Sequence, residues 1–316
     1  MSRAKTKVGR YTKQRHKENK QQLANIEMKK IMVPYLSIYS DSQDMIIICH
    51  QSFRDLLVEN WALEVENFNH IFSRALHSMS SGIYTKQEYM DVLEVTGIEI
   101  DDRSSYTRFI EIFIEVLYKR IMRCLRRLPG LNQLNHKDFY KTILSHKENL
   151  CVLIEVASKA NWTPEGLAFQ LGNQRSVLLP SDYMVKMTDK EIAESQHKRG
   201  IKLTEVNLKF EEAIFLTTIF MLSPTKCQPH FQDFYQRFMF AFTKYLEENY
   251  GSNYHLRLQK LISTIAFFRE DNLRQKKWVK NNEEYFTKMY KTDLLKAFSV
   301  IDDLDEGVEI LSRLDI

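Results

Sequence analysis

Apolar positions recur at intervals of three and four over most of this chain, and that spacing predicts helices. The pattern is sharpest at Ile110, Phe113, Ile114, Leu117, Ile121, Cys124, Leu125 and Leu128, one face of a long amphipathic helix. Pro129-Gly130 should end it, because proline lacks the donor that a helix interior needs. A second helix is predicted over about 138–160, through Ile143, Leu150, Leu153, Val156 and Ala157. Asp138 stands near its start, where a carboxylate suits the free N–H groups. Further helices are read at 211–222, 231–250 and 256–268, then a charged one through Trp278 to Tyr290 and a short apolar one at 292–301. The pattern is uneven over 41–76, at Phe53, Leu56, Leu57, Trp61 and Leu63, and 77–107 reads as a short helix between loops. Residues 186–200, KMTDKEIAESQHKRG, are polar and read as a mobile connection.

One stretch breaks the helical period. Leu167, Phe169 and Leu171 alternate, Gly172-Asn173 follows, and Val177 and Leu179 resume the alternation, which predicts one β-hairpin near 166–180. The chain is therefore expected to be all-α with one small hairpin. Segments as apolar as IFLTTIFMLS and FMFAFTKYL need burial on more than one side, which favours three layers of helices over two.

Composition narrows the class. At 316 residues, 44% apolar and 27% charged, the chain can bury a sizeable core. Gly 9 and Pro 6 are few, which suits helices. Four cysteines, Cys49, Cys124, Cys151 and Cys227, form no C-x2-C pair, so neither a zinc module nor a disulfide framework is expected. No apolar run is long enough for a membrane span. The net charge of +4 is uneven: residues 1–20 hold eight Lys or Arg and one acid, about +7, which leaves about −3 for the rest. Such a leader suits phosphate contacts or nuclear entry and has no base-reading element of its own.

Catalytic motifs are missing. There is no glycine-rich phosphate loop, H-E-x-x-H, G-x-S-x-G or kinase set. None of the nine histidines pairs with an acid at metal-ligand spacing, and Glu148 and Glu155, on one helix face, have no evident facing partner. The chain is not expected to be an enzyme or to hold a cofactor. Bulky apolar residues facing inward instead suggest a ligand-sized cavity or a solid core.

LRRLPGLNQLNHKDFYKTILSHKENLCVL, residues 125–153, resembles the signature of the nuclear receptor ligand-binding domain. In that family the third helix ends in A-K-x-[LIV]-P-G-F, and D-Q-x-x-L-L-K opens the next. Leu125 to Leu131 resemble the first motif, with Leu131 in place of the aromatic residue, and Asp138 matches the second. Phe139 departs from the usual glutamine and Leu144 from the usual lysine. GLAFQLG at 166–172 stands where the family has its hairpin, and EEAIFLTTIFMLSPT at 211–225 resembles the eighth helix. LRLQKLISTIAFFRED at 256–271 resembles the tenth, with Arg257 in an R-x-x-x-L-L pattern, and TDLLKAFSV at 292–300 stands at the activation helix. The leader is similar to the basic extension that follows the family's zinc module. The resemblance covers most of the chain and is densest at 110–160 and 205–298.

The resemblance implies a three-layer antiparallel helical sandwich divided into a hinge-like leader (1–30), first helices with a variable insertion (31–109), a ligand-binding-like core (110–300) and an acidic tail (301–316). It implies a nuclear, transcription-regulating domain that recruits coregulators and pairs with itself or with another nuclear receptor. Four cysteines cannot build the family's two four-cysteine zinc sites, so the chain is read as lacking that module, by truncation or naturally, and sequence-specific DNA reading by this chain alone is not expected.

The coregulator groove is expected at Arg126, which would hold one end of a partner helix, with Leu144 on its wall and Leu294, Leu295, Ala297 and Phe298 opposite. Ala297 stands where the family has its clamp glutamate, so ligand-dependent activation should be weak. The tail's apolar pattern at Val308, Ile310, Leu311 and Leu314 offers a second helix for the same groove. A ligand, if the core encloses a cavity, should be apolar, of sterol, retinoid or fatty-acid type, lined by Phe113, Leu117, Leu153 and Phe169. Leu258 and Ile262 are expected on a dimerisation face. The alternative is a ligand-free helical domain for dimerisation or corepressor binding.

Overall fold

The computed structural model describes residues 43–53, Leu56, 66–158, 160–170, 176–223 and 231–314. Expectations on the leader, on Leu57, Trp61 and Leu63, on the Gly172-Asn173 turn, and on Cys227 fall outside these residues. The described chain is mostly helical, with one small antiparallel sheet. Residues 43–53 are helical (α1). The helices α2 (Phe68–Ser81), α3 (Lys86–Thr96), α4 (Arg103–Leu125), α5 (His136–Ser145) and α6 (Lys147–Ala157) precede the sheet. Strands β1 (Asn161–Thr163), β2 (Gly166–Gln170) and β3 (Ser176–Pro180) follow. After them come α7 (Ser181–Met187), α8 (Lys190–Val206), α9 (Phe210–Met221), α10 (Gln232–Tyr250), α11 (Tyr254–Asn281), α12 (Glu283–Met289), α13 (Asp293–Ser299) and α14 (Leu304–Arg313).

The long helix read from 110–128 is α4, and it begins earlier, at Arg103. The 109/110 division expected above therefore cuts through one helix. α4 packs on α2, α6 and α13 and is buried on several sides. It ends before Pro129-Gly130, where Gly130 takes φ 89 and a Cβ would press the Phe234 ring at 3.0 Å, so the corner needs glycine twice over.

Three expectations are corrected. The single helix over 138–160 is two, broken at His146, whose φ of −123 and ψ of 18 leave the helical region. Its first part is capped three residues before Asp138: the Asn135 side chain accepts from the Asp138 N–H at 2.9 Å. The hairpin is a three-stranded sheet. β2 and β3 pair as read, Leu167 opposite Leu179, but β1 adds Trp162 opposite Leu167. Three residues are too few to show an alternation.

The third correction is the largest. Residues 186–200 are no connection but the end of α7 and most of α8, which packs against α11. The buried face of α8 carries Ser195, Arg199 and Gly200 beside Ile192 and Ala193. Arg199 is ion-paired with Glu155, donates to Asn272 Oδ1 at 2.7 Å and lies 3.7 Å from Asp271. Ser195 donates to Asp271. Glu155 thus has its facing partner, and it is a structural one. α11 likewise runs unbroken from Tyr254 to Asn281, so the apolar and charged segments near its middle are one helix.

Arg257 is a second tie. Its Nε donates to Glu212 Oε1 at 2.7 Å, and Nη1 and Nη2 donate to the carbonyls of Val206 at 2.7 Å and Asn207 at 3.0 Å. It thereby satisfies the end of α8 and joins it to α9 and α11. The main core runs continuously from Met45 to Leu311, and a smaller cluster gathers Tyr89, Tyr285, Phe286 and Met289.

Candidate functional site

A cleft of about 200 Å³ opens between the first turns of α4, strand β3, α7, α8 and the α11–α12 corner. α4 contributes Tyr106, Thr107 and Ile110, and α12 contributes Tyr285, Phe286 and Met289. Both sets follow the same i, i+1, i+4 pattern, which puts them on one helical face. Trp278 closes one side. Its Nε1–H donates to Asp189, and the Lys86 ammonium sits 5.4 Å from its ring centre.

Behind the aromatic wall the charges are neutralised. Arg103 is wholly buried; its Nε and Nη2 donate to the two Asp101 oxygens at 2.9 and 2.7 Å, and Nη2 also reaches the Tyr84 carbonyl at 2.7 Å. Its guanidinium lies 4.0 Å from the Tyr89 ring centre. Burial alone would raise the Asp101 carboxyl, but the Arg103 hydrogen bonds and charge hold it below its ordinary value. Tyr106 meets Tyr183 edge-on at 5.2 Å, and the Tyr183 hydroxyl shares a 2.9 Å hydrogen bond with Ser78. Burial pushes the Tyr183 phenol up to about 12 and raises those of Tyr106 and Tyr290 as well, so all three stay neutral.

The cleft lining contains no carboxylate, lysine or histidine. Its lining is mainly apolar and aromatic. One polar atom stands out: the Thr107 hydroxyl is buried and has no hydrogen-bond partner among the described residues.

A second, more open cleft of about 270 Å³ lies on the other side of α7, between β1 and α8. Trp162 forms its wall, edge-on to His197 at 5.9 Å. The indole fits only because position 200 is glycine, where a Cβ would fall 1.8 Å from the Trp162 ring. Glu194 and Lys198 edge the opening, and Met184 lines both clefts.

Phe113, Leu117 and Leu153, the expected pocket lining, are buried in the main core and line neither cleft. Further along, α13 packs on α4, and Phe298 stacks on Tyr118 at 4.1 Å. Phe169 pairs with Val177 in the sheet, and its side chain lies outside the described residues.

At the expected groove, Arg126 is half-buried rather than on an open rim. Its guanidinium lies over the Phe139 ring at 4.8 Å, with Nη1 buried and unpartnered among the described residues. Leu144 is buried beneath α14, where a Cβ on Gly307 would come within 2.9 Å of it. α14 lays Gly307, Val308 and Leu311 along α5 and also packs on α13.

The opposite wall is corrected too. Leu294, Leu295, Ala297 and Phe298 are all buried, Ala297 to 1% exposure, so α13 seals the core instead of facing a groove. Four apolar residues in a seven-residue helix leave no outward stripe. Glu111 holds this helix from α4, accepting from the Lys291 N–H at 2.6 Å and the Thr292 N–H at 3.1 Å.

The expected dimerisation pair divides. Ile262 is 57% exposed, whereas Leu258 is half-buried and packs against the core. Leu256 and Leu273 join Ile262 among the exposed residues of α11. The cleft residues on α12 went unread, although the aromatic spacing of EEYFTKMY, with Tyr285, Phe286, Met289 and Tyr290, was a usable signal beneath its charge.

No group of three or more metal-ligating side chains comes together among the described residues, and none of their helices is long and apolar enough to cross a membrane. No protein-family model matches the chain, and no curated protein matches it.

Proposed function

We propose that the chain is a nuclear receptor-type ligand-binding domain that regulates transcription by recruiting coregulators and takes an apolar small molecule. The observation that carries this reading is the aromatic cleft built jointly by α4, β3, α7, α8 and the α11–α12 corner, with the buried Thr107 hydroxyl as its polar anchor. The order of elements supports it: a long helix, the Pro129-Gly130 corner, a small sheet, and Arg257 of a late helix bound to Glu212. The finer fold we infer is a three-layer antiparallel helical sandwich, with α9, apolar nearly all round, in the middle layer.

On this reading the ligand is sterol-, retinoid- or fatty-acid-like, and highly charged ligands are disfavoured by the cost of desolvation. The coregulator surface is the α5 face beneath α14, so ligand-dependent activation is weak while that helix stays docked. The protein acts in the nucleus, without catalysis, and residues 1–20 add phosphate contacts but no sequence reading.

The exposed Leu256, Ile262 and Leu273 of α11 favour a second reading, a ligand-free domain for dimerisation or corepressor binding. Native mass spectrometry of the purified chain separates the two. A retained lipid-sized mass supports the receptor reading; a bare dimer that takes up no added sterol, retinoid or fatty acid supports the other.

A further inference from the structure

The two clefts are neighbours that share one lining residue. The inner one, about 200 Å³, and the outer one, about 270 Å³, each fall below the roughly 300–1,000 Å³ usual for ligand sites, and together they enter that range. Met184 is the residue their linings share. It is buried in α7, a short helix between the strand β3 and the long helix α8. An unbranched methionine side chain has three rotatable bonds and re-packs readily, which suits a movable divider better than a leucine or phenylalanine would.

The two ends differ in chemistry. The inner end is aromatic and offers one unpartnered hydroxyl, Thr107. At the outer end Glu194 lies 4.0 Å from Lys190, which leaves Lys198 as the cation on that rim, beside the Trp162–His197 pair. Between the two ends the linings are mainly apolar, with Leu179, Met184 and Met187 on one side and Val185 and Ala193 on the other.

We propose that Met184 is a movable partition, and that its displacement joins the clefts into one channel for an elongated amphiphile. Its anionic head sits at Lys198, and a single hydroxyl or carbonyl near the far end of its chain bonds to Thr107. This rests on the reading of the inner cleft as a ligand site and adds the route of entry and the ligand class. A long-chain carboxylate oxygenated at its far end fits better than a compact ring system.

The test uses the full chain and two fluorescent probes, cis-parinaric acid, which spans both clefts, and 2-naphthol, which fits the inner one alone. Met184→Ala should speed parinaric acid entry several-fold. Met184→Trp should abolish its binding, while 2-naphthol, held by the aromatic wall of α4 and α12, should still bind with an affinity altered only by the new neighbour at 184. In the unaltered chain ω-hydroxypalmitate should displace parinaric acid about fivefold better than palmitate, and Thr107→Val should erase that preference. Lys198→Glu should weaken the acid and leave its methyl ester unaffected.

Circular dichroism and the thermal midpoint check each variant, and if M184W does not fold, M184F takes its place. Parinaric acid binding equally well to the unaltered, Ala and Trp (or Phe) chains would overturn the partition, while 2-naphthol binding would keep the inner site. If neither probe binds any variant, the ligand site itself is wrong and the channel goes with it.

Discussion

Arg103 and Asp101 face each other with almost no solvent contact, and the pair stands directly behind the cleft wall. Removing one partner leaves a buried charge uncompensated, so Asp101→Asn should cost about 3–5 kcal/mol in denaturant unfolding. The pH dependence has a definite sign. Because Asp101 is held below its ordinary value of 3.8 in the folded chain, its contribution is present above that pH and is lost as acid titrates it. Unfolding midpoints of the unaltered chain and D101N should therefore converge as the pH falls below about 3.8. Ala297 tests the opposite case. A glutamate there would be an unpaired carboxylate in the core, so Ala297→Glu should lower the thermal midpoint and leave leucine-rich peptide affinity no higher.

At the scale of elements, α13 and α14 depend on contacts far away in sequence. Glu111→Gln replaces an ionised acceptor for two backbone N–H groups with a weaker neutral one and should cost about 1–3 kcal/mol. Truncation after Val300 removes α14 and uncovers Leu144. It should raise the affinity for a leucine-rich amphipathic peptide by anisotropy, and unchanged affinity would mean that α5 is not the docking face. The same contrast explains what could be read from the sequence. α4, α9 and α10 are legible because an apolar stripe is a local property. α8 is not, because Arg199 and Ser195 look solvated until Asp271 and Asn272, on a helix seventy residues later, are brought beside them. The apolar pattern of α14 is legible, but its seat on α5 is not, since no local spacing encodes it.

Across the whole molecule, the exposed Leu256, Ile262 and Leu273 of α11 are the surface on which the proposed dimerisation is tested. Ile262→Asp should yield a monomer by light scattering with little change in stability, because the side chain is mostly in solvent. Leu258→Asp should instead lower the thermal midpoint, since Leu258 packs against the core. If I262D scatters like the unaltered chain, α11 is not the contact. The cleft was the hardest feature to foresee. Where a core stays open depends on how five elements meet, which one sequence does not show.

The seat of α14 has a consequence during synthesis. Leu144 leaves the ribosome about 160 residues ahead of Gly307, the residue that will cover it. At ordinary elongation rates this interval is roughly 10–30 s. For that time the nascent chain presents the α5 face uncovered. A partner helix present at translation meets no competitor there, whereas one that arrives later must displace a docked helix.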